Sequence, residues 1–187
     1  MTAVPDTLDR RFRDAAAAAG LLDVSYDVAE SPVGPLFVAV TDRGLCRISY
    51  DPVPERLAEE LARIFGMRVL RAPKAVDRVA RELDEYFEGR RQSFDLPIDL
   101  RGRADFSRGV LEELARVPYG QVTTYGALAA RAGRPRAARA VGTVMNRNPI
   151  PIVLPCHRVV GSTGSLVGYG GGLERKRLLL DLEHAPV

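Results

Sequence analysis

Tryptophan is absent from this 187-residue chain, and cysteine and histidine occur only twice each. Two cysteines do not make the disulfide framework of a small secreted domain; they suit a reducing compartment, the cytoplasm. Cys46, Cys156, His157 and His184 lack finger-like spacing and form no four-ligand cluster, so no metal is expected. No apolar run approaches the roughly 20 residues that span a bilayer, which argues against a membrane protein. Met1 to Gly20 is charged and has no apolar signal core, so secretion is not expected. Acidic residues are missing from Leu114 through Leu173, whereas seven arginines fall in that window: Arg116, Arg131, Arg134, Arg136, Arg139, Arg147 and Arg158. Residues 1–100 carry 14 basic and 18 acidic side chains and residues 101–187 carry 13 and 6, an asymmetry concealed by the net charge of +3. A carboxylate-free, arginine-bearing surface suits a polyanion; a basic face that only confers solubility is the plainer reading, and charge alone leaves the two level.

With 46% hydrophobic and 27% charged residues, the chain has the composition of a globular protein long enough for one good-sized or two small domains. Asp6 to Leu22 reads as an Ala-rich helix. Val24 to Tyr50 alternates apolar and polar residues around Ser31-Pro32 and Thr41-Asp42-Arg43-Gly44, the pattern of a small antiparallel sheet. Pro54 to Phe65 and Lys74 to Phe87 have helical spacing, with Val76, Val79, Ala80, Leu83, Tyr86 and Phe87 on one inward face. Cys46, in an alternating strand, reads as an inert core thiol. An apolar strand fragment, Leu96 to Leu100, precedes a polar stretch where a domain boundary is expected.

Beyond it, Phe106 to Val117 reads as a helix with Phe106, Val110, Leu111 and Leu114 inward, ended by Pro118-Tyr119-Gly120. Thr123 or Thr124 can cap a helix through Ala130 that Gly133 terminates. Pro135 suits the first turn of the next helix, which runs to about Asn146. Two short helices joined by a glycine-containing turn form a helix-turn-helix candidate. Small residues at Ala137, Ala138, Ala140 and Gly142 allow close approach, either to a partner or to another helix. The expected architecture is α/β in composition (α+β): a helical extension over 1–22, a small N-terminal domain of antiparallel sheet and helices over 23–100, and a mostly helical domain carrying the helix-turn-helix over 101–187.

Cys156 and His157 are adjacent, between the apolar stretch from Pro149 to Pro155 and Val159-Val160. A thiol becomes a strong nucleophile as a thiolate, and an imidazole is a common means of removing its proton. A lone Cys-His pair is more simply a buried thiol beside a satisfied histidine, and the flanking residues decide. Pro155-Cys156-His157-Arg158-Val159 resembles the core signature of the O6-alkylguanine-DNA alkyltransferases, the methylated-DNA–protein-cysteine methyltransferases. Further similarity lies in Pro118-Tyr119-Gly120-Gln121-Val122 with Thr124-Tyr125, in Ala138-Arg139-Ala140-Val141-Gly142, in Gly168-Tyr169, and in Leu178-Leu179 followed by Glu183. It is densest from Asp105 to Glu183 and extends loosely back to Ser31-Pro32-Val33-Gly34-Pro35-Leu36.

The resemblance implies DNA repair by irreversible transfer of an alkyl group from O6-alkylguanine in duplex DNA to Cys156, with O4-alkylthymine a further candidate substrate. It implies that His157 takes the thiol proton through a bridging water, that Glu183 orients His157, and that Asn148 braces the turn carrying Cys156. Tyr125 matches the tyrosine that donates to the leaving base, with Tyr119 the nearby competitor. Pro151, Val159, Tyr169, Gly170 and Lys176 match the base pocket. Arg139 matches an intercalating arginine on a helix lying in the minor groove, with Arg136, Ala138, Ala140 and Gly142 beside it at the DNA. The extruded base costs a few kcal/mol to unstack. No cofactor or second thiol is indicated, so the protein is expected to be a single-turnover reagent, working as a monomer in the cytoplasm without metal or membrane.

Three departures stand out. Leu111 occupies a position that is very often tryptophan in the family. Thr143 and Val144 are bulkier than the small residues usual there, with a consequence expected at the groove. Gly170 replaces a serine of some relatives. A non-catalytic sensor of alkylated DNA is the main alternative, although such proteins lack the reactive cysteine. A cysteine hydrolase and a methylation-responsive regulator are further alternatives; the first normally draws its pair from distant segments, and the second carries a metal domain missing here.

Overall fold

The computed structural model describes residues 6–186 of the chain. These residues form two compact units, one of residues up to Asp84 with Asp95–Arg101, the other of Glu85–Phe94 and the chain from Gly102 onward. The ten residues Glu85–Phe94 therefore group with the C-terminal half rather than with the segment in which they were read.

In the first unit, helix α1 (Asp6–Ala18) stops short of Leu22. Gly20 takes a left-handed φ of 67°, and the amide of Leu21 returns to the carbonyl of Ala16, an end that glycine adopts without strain. Strands β1 (Val24–Ala29), β2 (Leu36–Thr41) and β3 (Gly44–Ser49) form the expected antiparallel meander, with Tyr26 opposite Ala39 and Val38 opposite Ile48. Helix α2 (Pro54–Phe65) follows as read, with proline in its first turn. A fourth strand, β4 (Val69–Arg71), pairs parallel with β1 and gives the order β3-β2-β1-β4. Three residues are too few for an alternation to show, so this strand had no signature. One core cluster gathers Val24, Phe37, Ala39 and Cys46 from the sheet against Leu57 and Leu61 of α2, spaced i, i+4 on one helix face. Cys46 is inert as expected: its thiol lies against the carbonyl of Ala39 at 3.3 Å, and burial pushes its pKa up to about 12.

The fragment Leu96–Leu100 is not a strand but a single parallel bridge, Ile98 to Leu45. The amide of Leu45 donates to Pro97 O and that of Asp99 to Leu45 O, at 2.8 and 2.9 Å. Pro97 has no amide hydrogen, so the ladder cannot continue through it. Asp99 is almost fully buried and accepts from the Thr41 hydroxyl and the Arg101 guanidinium, whose carbon lies 5.2 Å from the Phe65 ring centre. Helix α3 (Pro73–Phe87) buries Val76, Val79, Leu83 and Tyr86, while Ala80 and Phe87 are half-buried.

In the second unit, α4 (Asp105–Ala115) buries Val110, Leu111 and Leu114, with Phe106 half-buried. Leu111 fills its core position completely without tryptophan. Thr124, not Thr123, caps α5 (Tyr125–Arg131), its hydroxyl accepting from the amide of Ala127 at 3.1 Å. Thr123 instead belongs to a two-residue strand, β5 (Thr123–Thr124), parallel to β6 (Val159–Val160). Gly133 has φ 75°, as its expected terminating role requires. Helix α6 (Ala138–Asn146) begins three residues later than Pro135 indicates, because the amide of Ala137 closes a separate turn onto Arg134 O. Helix α7 (Leu173–Leu182) completes the unit. No helix among the described residues is long and apolar enough to cross a membrane.

Gly44 joins β3 to its hairpin with φ 131°, and a Cβ there would run into the carbonyl of Pro97. Gly44→Ala is expected to destabilise the first unit by roughly 3 kcal/mol through strain and displacement of the Pro97 bridge. Denaturant unfolding checks this, and a change within error would show that Pro97 yields freely.

Candidate active site

Every residue from Pro149 to Val160 is buried, and a one-turn 3-10 helix over Cys156–Arg158 presents the thiol and imidazole in sequence. Ile152 holds φ 75°, a left-handed conformation costly for a β-branched residue and kept only where its surroundings enforce it. Asn148 does much of that enforcing. Its Oδ1 accepts from the amide of Ile150 at 3.1 Å, while its Nδ2 donates to Leu154 O at 2.7 Å and to Cys156 Sγ at 3.1 Å. One amide thus spans the turn and touches the nucleophile.

Cys156 is only 5% exposed, and burial pushes its pKa up to about 11. Hydrogen bonds from Asn148 and Tyr169 and the charge of Lys176 work in the opposite direction without overcoming burial. The resting thiol is therefore protonated at neutral pH and needs a base at the moment of reaction.

His157 has the form that a base requires. Its ring is fully buried, with Nε2 2.9 Å from Oε1 of Glu183. Burial holds the His157 pKa below its usual value, against the raising influence of Glu183. Glu183 is held down to about 2, because the hydrogen bonds and charges of His157 and Arg158 outweigh the raising effect of its burial. An ionised carboxylate only accepts, so the proton of His157 belongs on Nε2 and Nδ1 carries the lone pair. Nδ1 is buried and has no hydrogen-bond partner among the described residues.

Five donors converge on Glu183. Oε1 accepts from the Tyr86 hydroxyl at 2.6 Å, from His157 Nε2 and from Arg158 Nη2 at 2.8 Å; Oε2 accepts from Arg158 Nε at 2.8 Å and the amide of Gly120 at 3.2 Å. Arg158 also donates to Val117 O, and its guanidinium lies 5.9 Å from the Tyr119 ring centre. The Tyr119 hydroxyl donates to Leu182 O, which makes it a brace for the chain entering Glu183.

On the other side of the thiol, Lys176 is fully buried and donates to Val159 O at 2.6 Å and Val167 O at 3.0 Å. It ties β6 to the glycine-rich loop 161–172. The Tyr125 hydroxyl lies 3.5 Å from the carbonyls of Val167 and Gly168, and its pKa is raised by burial and then by Cys156. Pro151 and Val159 are buried, Tyr169 is half-buried, and Gly170 is exposed with room for a Cβ only 3.3 Å from Asn146 O.

On α6 and the turn before it, Arg136, Arg139 and Ala140 are exposed, and Ala138 and Gly142 are half-buried. A Cβ on Gly142 would stand 3.9 Å from the Tyr125 ring, an ordinary contact, so α5 and α6 meet here with room for a methyl group. Thr143 is exposed on this helix, whereas Val144 is buried at 8%; its bulk acts on the core rather than at a groove.

The arginine set changes as well. Arg158 is buried in its carboxylate pair and is lost to any phosphate. Glu113, one residue outside the acid-free window, pairs with Arg116 and lies 3.9 Å from Arg131, which also donates to Thr123. Arg134 stands over the Phe106 ring at 4.9 Å. Arg136 and Arg139 make no ion pair among the described residues. No group of three or more potential metal ligands occurs among the described residues.

Sequence reasoning missed two members of the site. Arg158 was counted with the surface arginines although its place in the Pro-Cys-His-Arg-Val run was available as a signal. Tyr86 was read as core, and nothing in a helical face marks one hydroxyl as a carboxylate ligand.

Residues 24–100 match the 6-O-methylguanine DNA methyltransferase ribonuclease-like domain, and residues 105–185 match the 6-O-methylguanine DNA methyltransferase DNA binding domain. A methylated-DNA–protein-cysteine methyltransferase of Methanosarcina barkeri is 42% identical over 84% of this chain and 96% of its own. One from Mycobacterium tuberculosis is 40% identical over 86% and 92%. The solved structure of Mycobacterium tuberculosis OGT in complex with DNA is similar with a TM-score of 0.75 at 40% identity, over 87% of this chain and 95% of that one. That of the Pyrococcus kodakaraensis O6-methylguanine-DNA methyltransferase gives 0.56 at 27% identity, over 86% and 98%. Both halves are matched in order by relatives that are themselves covered almost end to end, and the chain therefore belongs to the methylated-DNA–protein-cysteine methyltransferase family.

Proposed function

We propose that this protein repairs DNA by moving the alkyl group of an O6-alkylguanine onto Cys156, once per molecule. The observation that carries the reading is a buried thiol next in sequence to a buried imidazole whose Nε2 lies 2.9 Å from the Glu183 carboxylate. The proton of Cys156 ends on His157 Nδ1, and Glu183 stabilises the imidazolium that forms, the role a carboxylate plays in hydrolase triads. The thiolate attacks the alkyl carbon, forming the S–C bond as the C–O bond breaks and its electron pair passes to the guanine oxygen. Tyr125, within electrostatic reach of Cys156, donates its hydroxyl proton toward the leaving base. The thioether product has no second thiol nearby to resolve it, since the other cysteine is the buried Cys46. The protein is spent after one transfer.

The buried thiol requires an extruded nucleotide. Arg139, exposed on a helix of small residues, fills the vacated position from the minor groove, while Arg136 and the other exposed arginines meet phosphates. Pro151, Val159, Tyr169 and Gly170 border the base, and Lys176 holds the loop over it. We place the protein in the cytoplasm, acting as a monomer.

Incubation with an O6-methylguanine duplex is expected to add one methyl group, located on Cys156 by peptide mapping. Cys156→Ala is expected to gain nothing while still binding DNA. DNA binding by the native protein without any mass gain would instead mark a lesion sensor. Arg139→Ala is expected to slow repair in duplex at least about 10-fold while leaving reaction with the free base within about two-fold; equal losses in both assays would remove the extrusion role.

Acid is expected to unfold the protein through this same site. Glu183 titrates near 2 folded against 4.5 unfolded, so the unfolded chain binds the extra proton between those values. Its contribution, on the order of 3 kcal/mol, is complete above pH 4.5 and is lost as pH falls toward 2. His157, with its folded pKa depressed, acts in the same direction, losing stability as pH falls below its unfolded value. Glu183→Gln should flatten the acid limb of a stability–pH profile and lower stability at neutral pH, where Arg158 loses its counter-charge. An unchanged acid limb would refute the assignment.

A further inference from the structure

Of the side chains that donate to the Glu183 carboxylate, Tyr86 is the one that is neither its counter-charge nor the imidazole it orients. Tyr86 is fully buried, in the last turn of α3, and its hydroxyl makes the shortest hydrogen bond to this carboxylate, 2.6 Å to Oε1. Oε1 is also the oxygen that holds His157 Nε2, so phenol and imidazole compete for the same electron density. The ring is fixed independently of the hydroxyl, with the rings of Phe87 and Phe94 centred 5.4 Å away and that of Tyr119 6.1 Å away.

A carboxylate that orients a histidine also raises its basicity, and an imidazole protonated in advance cannot accept a proton from a thiol. The groups facing this pair set the balance. Arg158 neutralises Glu183 through two hydrogen bonds, Gly120 donates to Oε2, and Lys176 adds positive charge from α7. Cys156 is neutral at rest, and Tyr119 lies beside Arg158. Three donors crowd Oε1 while an ionised carboxylate offers about four lone-pair sites over both oxygens. With Tyr86 bound, the carboxylate has one orientation and a reduced pull on His157.

We propose that Tyr86 is a positioning residue of the alkyl-transfer site, its hydroxyl locking Glu183 and restraining its pull on His157 so that the imidazole stays neutral and ready for the Cys156 proton. Tyr86 lies within the residues matched by the ribonuclease-like family domain, whereas Cys156, His157, Arg158 and Glu183 lie within those matched by the DNA binding domain. The alkyl-transfer site thus draws one member from outside the segment that carries the reaction.

The inference rests on Cys156 being the alkyl acceptor, and its test can be read separately from that reaction. Only two histidines exist, and His184 is exposed, so His157 can be titrated by NMR beside an internal reference. In Tyr86→Phe, the His157 titration is expected to move up by about half a pH unit or more, with His184 unmoved. The acid limb of the second-order alkylation rate should move up with it. Replacing Tyr86 alone by 3-fluorotyrosine, a stronger donor of nearly the same shape, should move both midpoints down, and it keeps the test available if the phenylalanine variant folds poorly. Midpoints that stay at wild-type values in both variants would overturn the proposal, even if thermal stability fell. So would uniform slowing at every pH with an unmoved His157. Wild-type protein that takes up no alkyl group would instead sink the acceptor reading, while the imidazole titration would still report on Tyr86.

Discussion

The buried negative charge of Glu183 is the constraint around which the second unit is arranged. An ionised carboxylate removed from water costs several kcal/mol unless its lone pairs are filled and its charge is met. Here the filling comes from three parts of the chain, the end of α3, the turn after α4 and the 3-10 turn, all meeting the carboxylate at the C-terminus of α7. Segments far apart in sequence are held in one place because each satisfies part of the same anion. The charge also fixes the tautomer of His157 and thereby decides which ring nitrogen keeps its lone pair. Structure and reactivity share one interaction.

A second constraint is steric. Cys156 is a protonated, buried thiol whose pKa lies near 11, so its reactivity is conditional on a base and a bound substrate. A protonated, buried thiol is protected from indiscriminate reaction with solutes. Asn148 and the strained Ile152 hold its turn, and Lys176 anchors the glycine-rich loop to it. On the helix-turn-helix, Gly142 of the arginine-bearing helix lies against the ring of Tyr125, the candidate proton donor. Arg136 and Arg139 are exposed, and among the described residues no carboxylate folds back onto them.

Much of this was legible in one dimension, and the exceptions follow a pattern. The meander, α2, α4 and the Thr124-capped helix all rest on local periodicity and capping, which neighbouring residues encode. β4 goes unread, and Leu96–Leu100 reads as a strand where only one bridge forms, because three residues or one proline leave no periodic signal and pairing there is set by a distant strand. The start of α6 was misplaced because Pro135 fits both a first helical turn and the separate turn it occupies. The acid-free window overstated the free basic surface: Glu113 lies just outside it in sequence yet reaches Arg116 and Arg131 in space.

The order and spacing of the motifs determined the family, the thiol–imidazole pair and the carboxylate near the C-terminus, because those identities are carried by residue types at fixed intervals. Folding alone decided which groups complete the site. Arg158 turns inward and Tyr86 reaches Glu183 across a sequence separation of 97. A helix face that packs and a helix face that packs while donating one hydrogen bond have the same apolar period. Only the arrival of a buried anion at that hydroxyl separates them, and a lone chain position cannot encode where another one will come to rest.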